Sequence, residues 1–138
     1  MVDAALRIAG ERADAADPAS CVIVHGDPHP GNALRVRRPR AGAPAGVALV
    51  DPDGFVGDPA YDLGVVLRDW SVRLLADDDP AATLRRWSHR LAAATGHDEQ
   101  VVYDWALLER VSTGLYVADL GADRVARPFL DVAARLVG

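Results

Sequence analysis

The stretch that decides the fold is His25-Gly-Asp-Pro-His-Pro-Gly-Asn32, which is followed after a gap by Val50-Asp-Pro-Asp-Gly54. Its prolines and glycines exclude regular structure, so the first segment is predicted to be a loop. Together the two segments hold an Asp, an Asn and a second Asp. These side chains supply hard oxygen atoms, which suit the binding of magnesium and the orientation of a hydroxyl group. The sequence therefore predicts two polar loops that carry the chemistry.

The composition is that of one globular domain. The chain has 138 residues, of which 50% are hydrophobic and 25% are charged, and this is enough for a hydrophobic core. The net charge of -5 argues against nucleic acid as a partner, because nucleic-acid binding needs a basic surface. No apolar run approaches the roughly 20 residues that span a bilayer, and the first residues lack the features of a signal peptide. We therefore expect a cytoplasmic protein without a membrane partner.

The chain before and between the two loops is predicted to be a small mixed region. Residues 2–16 have the apolar spacing of a helix, and residues 22–24 form a short β-branched run typical of a buried strand. Residues 33–36 and 47–50 are predicted to pair as a β-hairpin. Residues 51–59 are predicted to be a loop.

The rest of the chain is predicted to be helical, because its apolar residues recur at helical spacing and its Asp, Pro and Gly residues stand where helices begin and end. The three tryptophans in this part are expected to pack in the core or against a neighbouring lobe, with a role as sugar-stacking platforms as the alternative; they are Trp70, Trp87 and Trp105. The predicted helices are 61–76, 80–95, 99–120 and 123–137, the last of them interrupted or kinked at Pro128.

The two loops resemble those of a known family. Residues 24–32 are similar to the catalytic loop, and residues 49–64 to the metal loop and following helix, of the aminoglycoside phosphotransferase and choline-kinase-like enzymes. Within that family the chain looks most like the aminoglycoside/hydroxyurea resistance kinases, which include streptomycin 6-phosphotransferases. The resemblance implies an α+β fold that is mostly α: a protein-kinase-like C-terminal lobe with a catalytic loop, one hairpin and about four following helices.

The resemblance also implies roles for residues of the two loops. Asp27 would be the catalytic carboxylate that faces the acceptor hydroxyl and takes its proton late in the reaction. Asn32 and Asp51 would be magnesium ligands, as the five-residue spacing of Asp27 and Asn32 and the separate carboxylate suggest. His25 would anchor the loop through hydrogen bonds from its ring to the backbone. His29 has two open interpretations, a contact with the γ-phosphate and packing within the loop.

Other carboxylates receive roles as well. Asp62 would brace the catalytic loop by accepting backbone N–H bonds at the start of a helix. Asp53 is either a group near the metal or a turn residue before Gly54. The acceptor site is expected on the C-terminal helices, where carboxylates would attract a polycationic aminoglycoside. The candidates for that contact are Asp69, Asp104, Glu109 and Asp119, each with a solvated helix face as its alternative.

By this resemblance the chain is an ATP-dependent phosphotransferase with Mg²⁺ as cofactor, ATP as co-substrate and the hydroxyl group of a small molecule as acceptor. Streptomycin, hydroxyurea, another aminoglycoside and an unrelated metabolite are all open as the acceptor, with a role in antibiotic resistance or secondary metabolism.

Residues 1–138 are expected to be the C-terminal lobe alone. The N-terminal nucleotide lobe of such kinases carries a strand lysine, and this chain contains no lysine. The apolar face that would meet such a lobe is expected to drive self-association.

Two other functions are weighed against this one. A metallohydrolase would use His25, Asp27 and His29, which stand at alternate positions, with Asp51 and Asp53 to complete a metal site. The prolines between those residues disrupt strand geometry, and Asn32 would be unexplained. The other alternative is a non-catalytic remnant or scaffold with the same fold. Binding of magnesium nucleotide separates that scaffold from an enzyme.

Overall fold

The computed structural model describes all 138 residues as a mostly helical chain with two small antiparallel sheets, which confirms the predicted α+β class. In chain order the elements are α1 (Val2–Asp14), β1 (Val22–Val24), a 3-10 turn (Pro30–Asn32), β2 (Ala33–Arg35), β3 (Val47–Leu49), β4 (Phe55–Gly57), α2 (Ala60–Arg68), α3 (Ser71–Leu75), α4 (Pro80–Thr95), α5 (Glu99–Asp119) and α6 (Asp123–Val137).

Helix α5 is the centre of the helical core and packs against α1, α2, α4 and α6. Its buried side chains belong to two apolar clusters, one shared with α2, α3, α4 and α6 and the other with α1 and α6. Helices α2 and α5 approach closely at Gly64, where an added Cβ would lie 2.4 Å from the Cβ of Trp105. The core therefore fixes α2, which follows the second polar loop, against the longest helix.

The predicted ends of α4 and α5 are confirmed. The Asp79 side chain accepts a hydrogen bond from the Ala82 N–H at the start of α4, and Gly96 ends that helix in the left-handed conformation. The Asp98 side chain accepts bonds from the N–H groups of Gln100 and Val101. These side chains satisfy backbone donors that a helix start leaves without partners.

The single helix predicted over 61–76 is wrong, because the chain breaks at Asp69–Trp70 into α2 and α3. The Ser71 hydroxyl donates to the Arg68 carbonyl at 2.7 Å. The buried guanidinium of Arg110, from α5, donates to the Leu67 carbonyl. These side chains satisfy carbonyls that a continuous helix would bond internally, so five helices follow the loops instead of about four.

The β-structure differs from the prediction in one strand. The hairpin of β2 and β3 is confirmed, with Leu34 opposite Ala48. Residues 51–59, predicted to be a loop, contain β4, which pairs with β1 and places Ile23 opposite Val56. The prediction of a buried β1 is also wrong, because Ile23 is 82% exposed and only Val24 is buried.

Helix α6 is continuous across Pro128, so the predicted interruption is absent. None of the helices is both long enough and apolar enough to cross a membrane.

Candidate active site

The backbone of the catalytic loop is held by Asp62, in the first turn of α2. Its two carboxylate oxygens accept the N–H groups of His25 and Gly26 at 2.8 and 2.9 Å. Gly26 has a φ of 89°, and a Cβ there would lie 2.8 Å from the Cβ of Asp53. Only glycine suits this position, because the backbone is left-handed and the opposite loop is in contact with it. The loop is therefore fixed from both sides.

The ring of His25 ties the two polar loops together. Its Nε2 lies 3.0 Å from the Val50 carbonyl oxygen, and its Nδ1 accepts the Asp27 N–H at 3.3 Å. Because Nδ1 is an acceptor, the tautomer that satisfies both contacts carries its hydrogen on Nε2 and donates it to Val50. Both ring nitrogens are thus engaged with the backbone, in the arrangement expected for an anchor.

Asn32 and Asp51 lie on neighbouring segments. The Asn32 side-chain amide donates to the Asp27 carbonyl at 3.0 Å, and the Asn32 carbonyl accepts the Val50 N–H at 2.9 Å. Asp51 follows Val50 directly and is exposed, with a φ of 58°, the only positive φ among the non-glycine residues. A conformation that costs of order 1–3 kcal/mol is often kept at a functional site. The two candidate metal ligands are therefore linked through backbone hydrogen bonds.

The Asp27 carboxylate is contacted from two sides. Its Oδ1 accepts a hydrogen bond from Arg68 at 2.8 Å, and its Oδ2 lies 3.4 Å from Nε2 of His29. The other ring nitrogen of His29 accepts the Gly31 N–H at 3.0 Å and lies 3.7 Å from Asp69. His29 therefore packs within the loop and also stands beside Asp27.

Arg68 is the residue that the sequence interpretation missed. Besides Asp27, its guanidinium contacts Asp69 at 3.0 Å and Glu109 at 3.4 Å. It also donates to the Thr113 hydroxyl at 3.5 Å. No local pattern points to Arg68, since Asp27 and Glu109 are each 41 positions away in the chain. One cation thus joins the catalytic loop to α5.

The electrostatics of this cluster follow from its burial. Burial raises the pKa of Glu109, although the charge of Arg68 opposes the shift. Burial, together with the charge of Glu109, also raises the pKa of Tyr61. Burial lowers the pKa of Arg68, but its hydrogen bonds to Asp27 and Asp69 outweigh that effect and the pKa is raised. Arg68 therefore stays charged beside three carboxylates.

The four candidates for acceptor contact are not brought together. Asp69 and Glu109 lie in the Arg68 cluster, near Asp27. Asp104 is buried, and accepts from Gln100 at 2.7 Å beside Arg12 at 3.6 Å. Asp119 is exposed at the far end of α5. For Asp104 and Glu109 the solvated-face alternative is wrong, and Asp104 is occupied by contacts that join α1 to α5.

The side chains of Asn32 and Asp51 have the hard oxygen atoms that would hold a magnesium ion. The Asn32 side chain donates its amide N–H to the Asp27 backbone carbonyl, while its side-chain oxygen Oδ1 has no partner in the chain, and the Asp51 carboxylate makes no hydrogen bond either. Hard oxygen ligands of this kind are those that Mg²⁺ takes from proteins, with phosphates and water completing its shell. Asp53 is exposed, and its side chain also makes no hydrogen bond within the chain.

A metallohydrolase site does not form. No three side chains of His, Cys, Asp or Glu converge on one position that could hold a metal ion. His25 has both ring nitrogens bonded to the backbone, and His29 accepts a backbone N–H with one of its own. Within the alternating His-Asp-His pattern, only His29 therefore stands beside the Asp27 carboxylate, and both ring nitrogens of His25 contact the backbone.

The comparison with known families agrees with this geometry. Residues 3–106, or 104 of the 138 residues, match the family described as the phosphotransferase enzyme family. The chain belongs to this phosphotransferase family. No curated protein and no solved structure gives a significant match.

Proposed function

We propose that the chain is the catalytic lobe of an ATP-dependent phosphotransferase that transfers the γ-phosphoryl group of ATP to a hydroxyl group of a small molecule. The observation that carries the proposal is the junction of the two loops. Asn32 bonds the backbone carbonyl of Asp27 and the N–H of Val50, the residue before Asp51, so hydrogen bonds join the segments that carry Asp27, Asn32 and Asp51. These are the catalytic-loop and metal-binding groups among those that kinase-type transfer uses.

In the proposed reaction, Asp27 orients the acceptor hydroxyl through Oδ2, because Oδ1 is held by Arg68. The acceptor oxygen forms a bond to the γ-phosphorus, and the bond from that phosphorus to the β–γ bridging oxygen breaks. The acceptor proton passes to Asp27, and ADP leaves with the bridging oxygen. Asn32 and Asp51 hold magnesium, which neutralises charge on the phosphates when bound.

Three supporting residues have proposed roles that follow from their contacts. His25 and Asp62 hold the backbone of the loop in place, and His29 stands where it would meet the transferred phosphoryl group, next to Oδ2 of Asp27. Positioning of this kind supplies much of the rate enhancement in phosphoryl transfer.

The acceptor is proposed at the level of its reacting group, a hydroxyl. The streptomycin-type and hydroxyurea-type acceptors come from the family resemblance. The carboxylates available to an aminoglycoside near Asp27 are Asp69 and Glu109, and both are already paired with Arg68. An assay with streptomycin, hydroxyurea and an uncharged polyol would distinguish these acceptors from one another.

The first experiment is calorimetric titration of Mg·ATP into the 138-residue chain. We expect binding that is lost without magnesium and weakened at least about tenfold by Asp51→Asn, which replaces the charged carboxylate with a neutral, weaker amide ligand. The control is Asp78→Asn, an exposed carboxylate between α3 and α4. Equal affinity of Asp51→Asn and the parent chain at limiting magnesium would contradict the proposed metal site.

The second experiment measures transfer. Asp27→Asn is expected to lower kcat by about 10²–10⁴-fold with little change in Mg·ATP affinity, because it removes the proton acceptor and not a metal ligand. Unchanged transfer in Asp27→Asn would contradict the proposal. A chain that neither binds nucleotide nor transfers phosphate would instead be the non-catalytic scaffold.

A further inference from the structure

A groove lies between α2, α3 and α4, and no residue of the two polar loops lines it. It encloses about 520 Å³ and has an apolar floor that includes Val66 and Leu67. Its walls carry two tryptophans, Trp70 and Trp87, and none of the residues placed in the catalytic loop lines it. A concave apolar surface with a few polar groups is the usual form of a small-molecule site.

The two tryptophans form the aromatic wall of the groove. Their ring centroids are 6.5 Å apart, with an interplanar angle of 67°. Trp70 is 42% exposed, so it does not pack in the core of this chain. An exposed indole leaves apolar surface in contact with water, and burying such surface stabilises a complex by about 25 cal/mol per Å². The wall therefore suits a ligand with a flat apolar body.

The charge of the groove is positive. Arg73 and Arg90 stand at its edge, and the Arg73 guanidinium lies 5.9 Å from the ring centroid of Trp87. Neither arginine forms a salt bridge or a hydrogen bond with any carboxylate of the chain. The carboxylates nearest to them in sequence have other partners: Asp69 is bonded to Arg68, Asp77 accepts from the Thr83 hydroxyl, and Glu99 pairs with His89. Two unpaired guanidinium groups in an acidic chain favour an anionic ligand, which they can bind through charged hydrogen bonds.

We propose that this groove binds a planar aromatic anion, with the ring against Trp70 and Trp87 and the carboxylate or phosphate between Arg73 and Arg90. Trp70 follows Asp69 directly, so the groove begins one residue, about 3.8 Å along the Cα trace, from the Arg68 cluster. The idea that this anion is part of the phosphoryl acceptor rests on the proposed function. The proposal that the groove binds the anion does not depend on that function.

The test is calorimetric titration, without nucleotide, of three ligands that share one ring and differ in charge: 2-naphthoate, 2-naphthamide and 2-naphthylmethylammonium. We expect 2-naphthoate to bind most tightly and the cation least tightly. Arg73→Gln and Arg90→Gln should each weaken 2-naphthoate about fivefold, and Trp87→Leu about tenfold. Arg38→Gln, on the exposed hairpin connection, is the matched control and should leave the affinity unchanged.

The proposal is overturned if 2-naphthoate does not bind up to its solubility limit, if the cation binds as tightly, or if neither arginine substitution changes the affinity. Asp27→Asn separates this test from that of the proposed function. Its affinity for 2-naphthoate should equal that of the parent chain, because Asp27 does not line the groove. Naphthoate binding without phosphoryl transfer would leave this proposal standing, and transfer without naphthoate binding would refute it alone.

Discussion

At the scale of single residues, the charge balance of the active site depends on Arg68 and the carboxylates around it. Arg68 is 13% exposed and Glu109 is 12% exposed, so water screens their contact only weakly. Asp27, which lies in the loop of residues 25–32, is 32% exposed. The carboxylate proposed to be catalytic is thus the open end of a cluster whose other end is buried against α5.

Glu109→Gln should change how stability depends on pH. Burial raises the pKa of Glu109 above the usual 4.5. Between 4.5 and the raised value, the folded chain holds a proton that the unfolded chain has released, so the free energy of unfolding falls as the pH rises. The variant lacks this group. In urea denaturation, its stability relative to the parent chain should therefore increase as the pH rises above 4.5 toward the raised pKa of Glu109.

The matched control for this experiment is Asp119→Asn, which alters an exposed carboxylate without hydrogen-bond partners at the end of the same helix. Its stability should stay parallel to that of the parent chain over the same interval. A stability difference for Glu109→Gln that is constant with pH, or that shrinks as the pH rises, would contradict the assignment.

At the scale of elements, the crossing of α2 and α5 positions the site. Asp62 and Arg68 both lie on α2, and Glu109 and Thr113 lie on α5. Because Gly64 has no side chain, its backbone on α2 packs directly against Trp105 on α5. The Asp62 side chain on α2 holds the backbone of the loop that contains Asp27. The distance between α2 and α5 therefore sets the position of Asp27.

Gly64→Ala is expected to lower the free energy of unfolding by about 1–3 kcal/mol, because its Cβ would lie 2.4 Å from the Trp105 Cβ and the helices would have to separate. Gly10→Ala in α1 is the matched control. Nothing lies within 4 Å of a Cβ at that position, so the same substitution should stabilise the chain by about 0.5–1 kcal/mol. Thermal and urea denaturation measure both, and equal effects of the two substitutions would contradict the close crossing.

At the scale of the whole molecule, the two sheets present an apolar surface. Ile23 and Val56 are paired across β1 and β4 and are 82% and 70% exposed. Leu34 and Leu49, on the hairpin of β2 and β3, are also exposed. Exposed apolar side chains that lie side by side, as Ile23 and Val56 do, mark an interaction site. We therefore propose self-association of the chain through this surface.

Sedimentation velocity should show an average mass that rises with concentration, and Ile23→Ser with Val56→Ser should shift the chain toward the monomer. Leu6→Ser, which changes an equally exposed leucine on α1, is the control and should leave the association unchanged. A single monomeric species at high concentration would refute the proposal.

The sequence by itself determined the elements whose signals are local. Asp98 and Gly96 stand within a few residues of the helix ends that they make, and the loop from His25 to Asn32 follows from its own prolines and glycines. Asp27, Asn32 and Asp51 are proposed as site residues from the family resemblance and from the five-residue spacing of Asp27 and Asn32. A pattern can reveal such features because the contacts that produce them join near neighbours.

Only the tertiary structure decided the rest. Strand β4 forms because β1 lies beside it. Helix α2 ends where Arg110 of α5 donates to the Leu67 carbonyl. Asp104 is buried next to Arg12 of α1. Arg68 contacts both Asp27 and Glu109, and each of them is 41 positions from Arg68 in the sequence. Each of these features depends on the free energy of a contact between distant segments, which exists only after the helices have packed, and no local propensity carries that information.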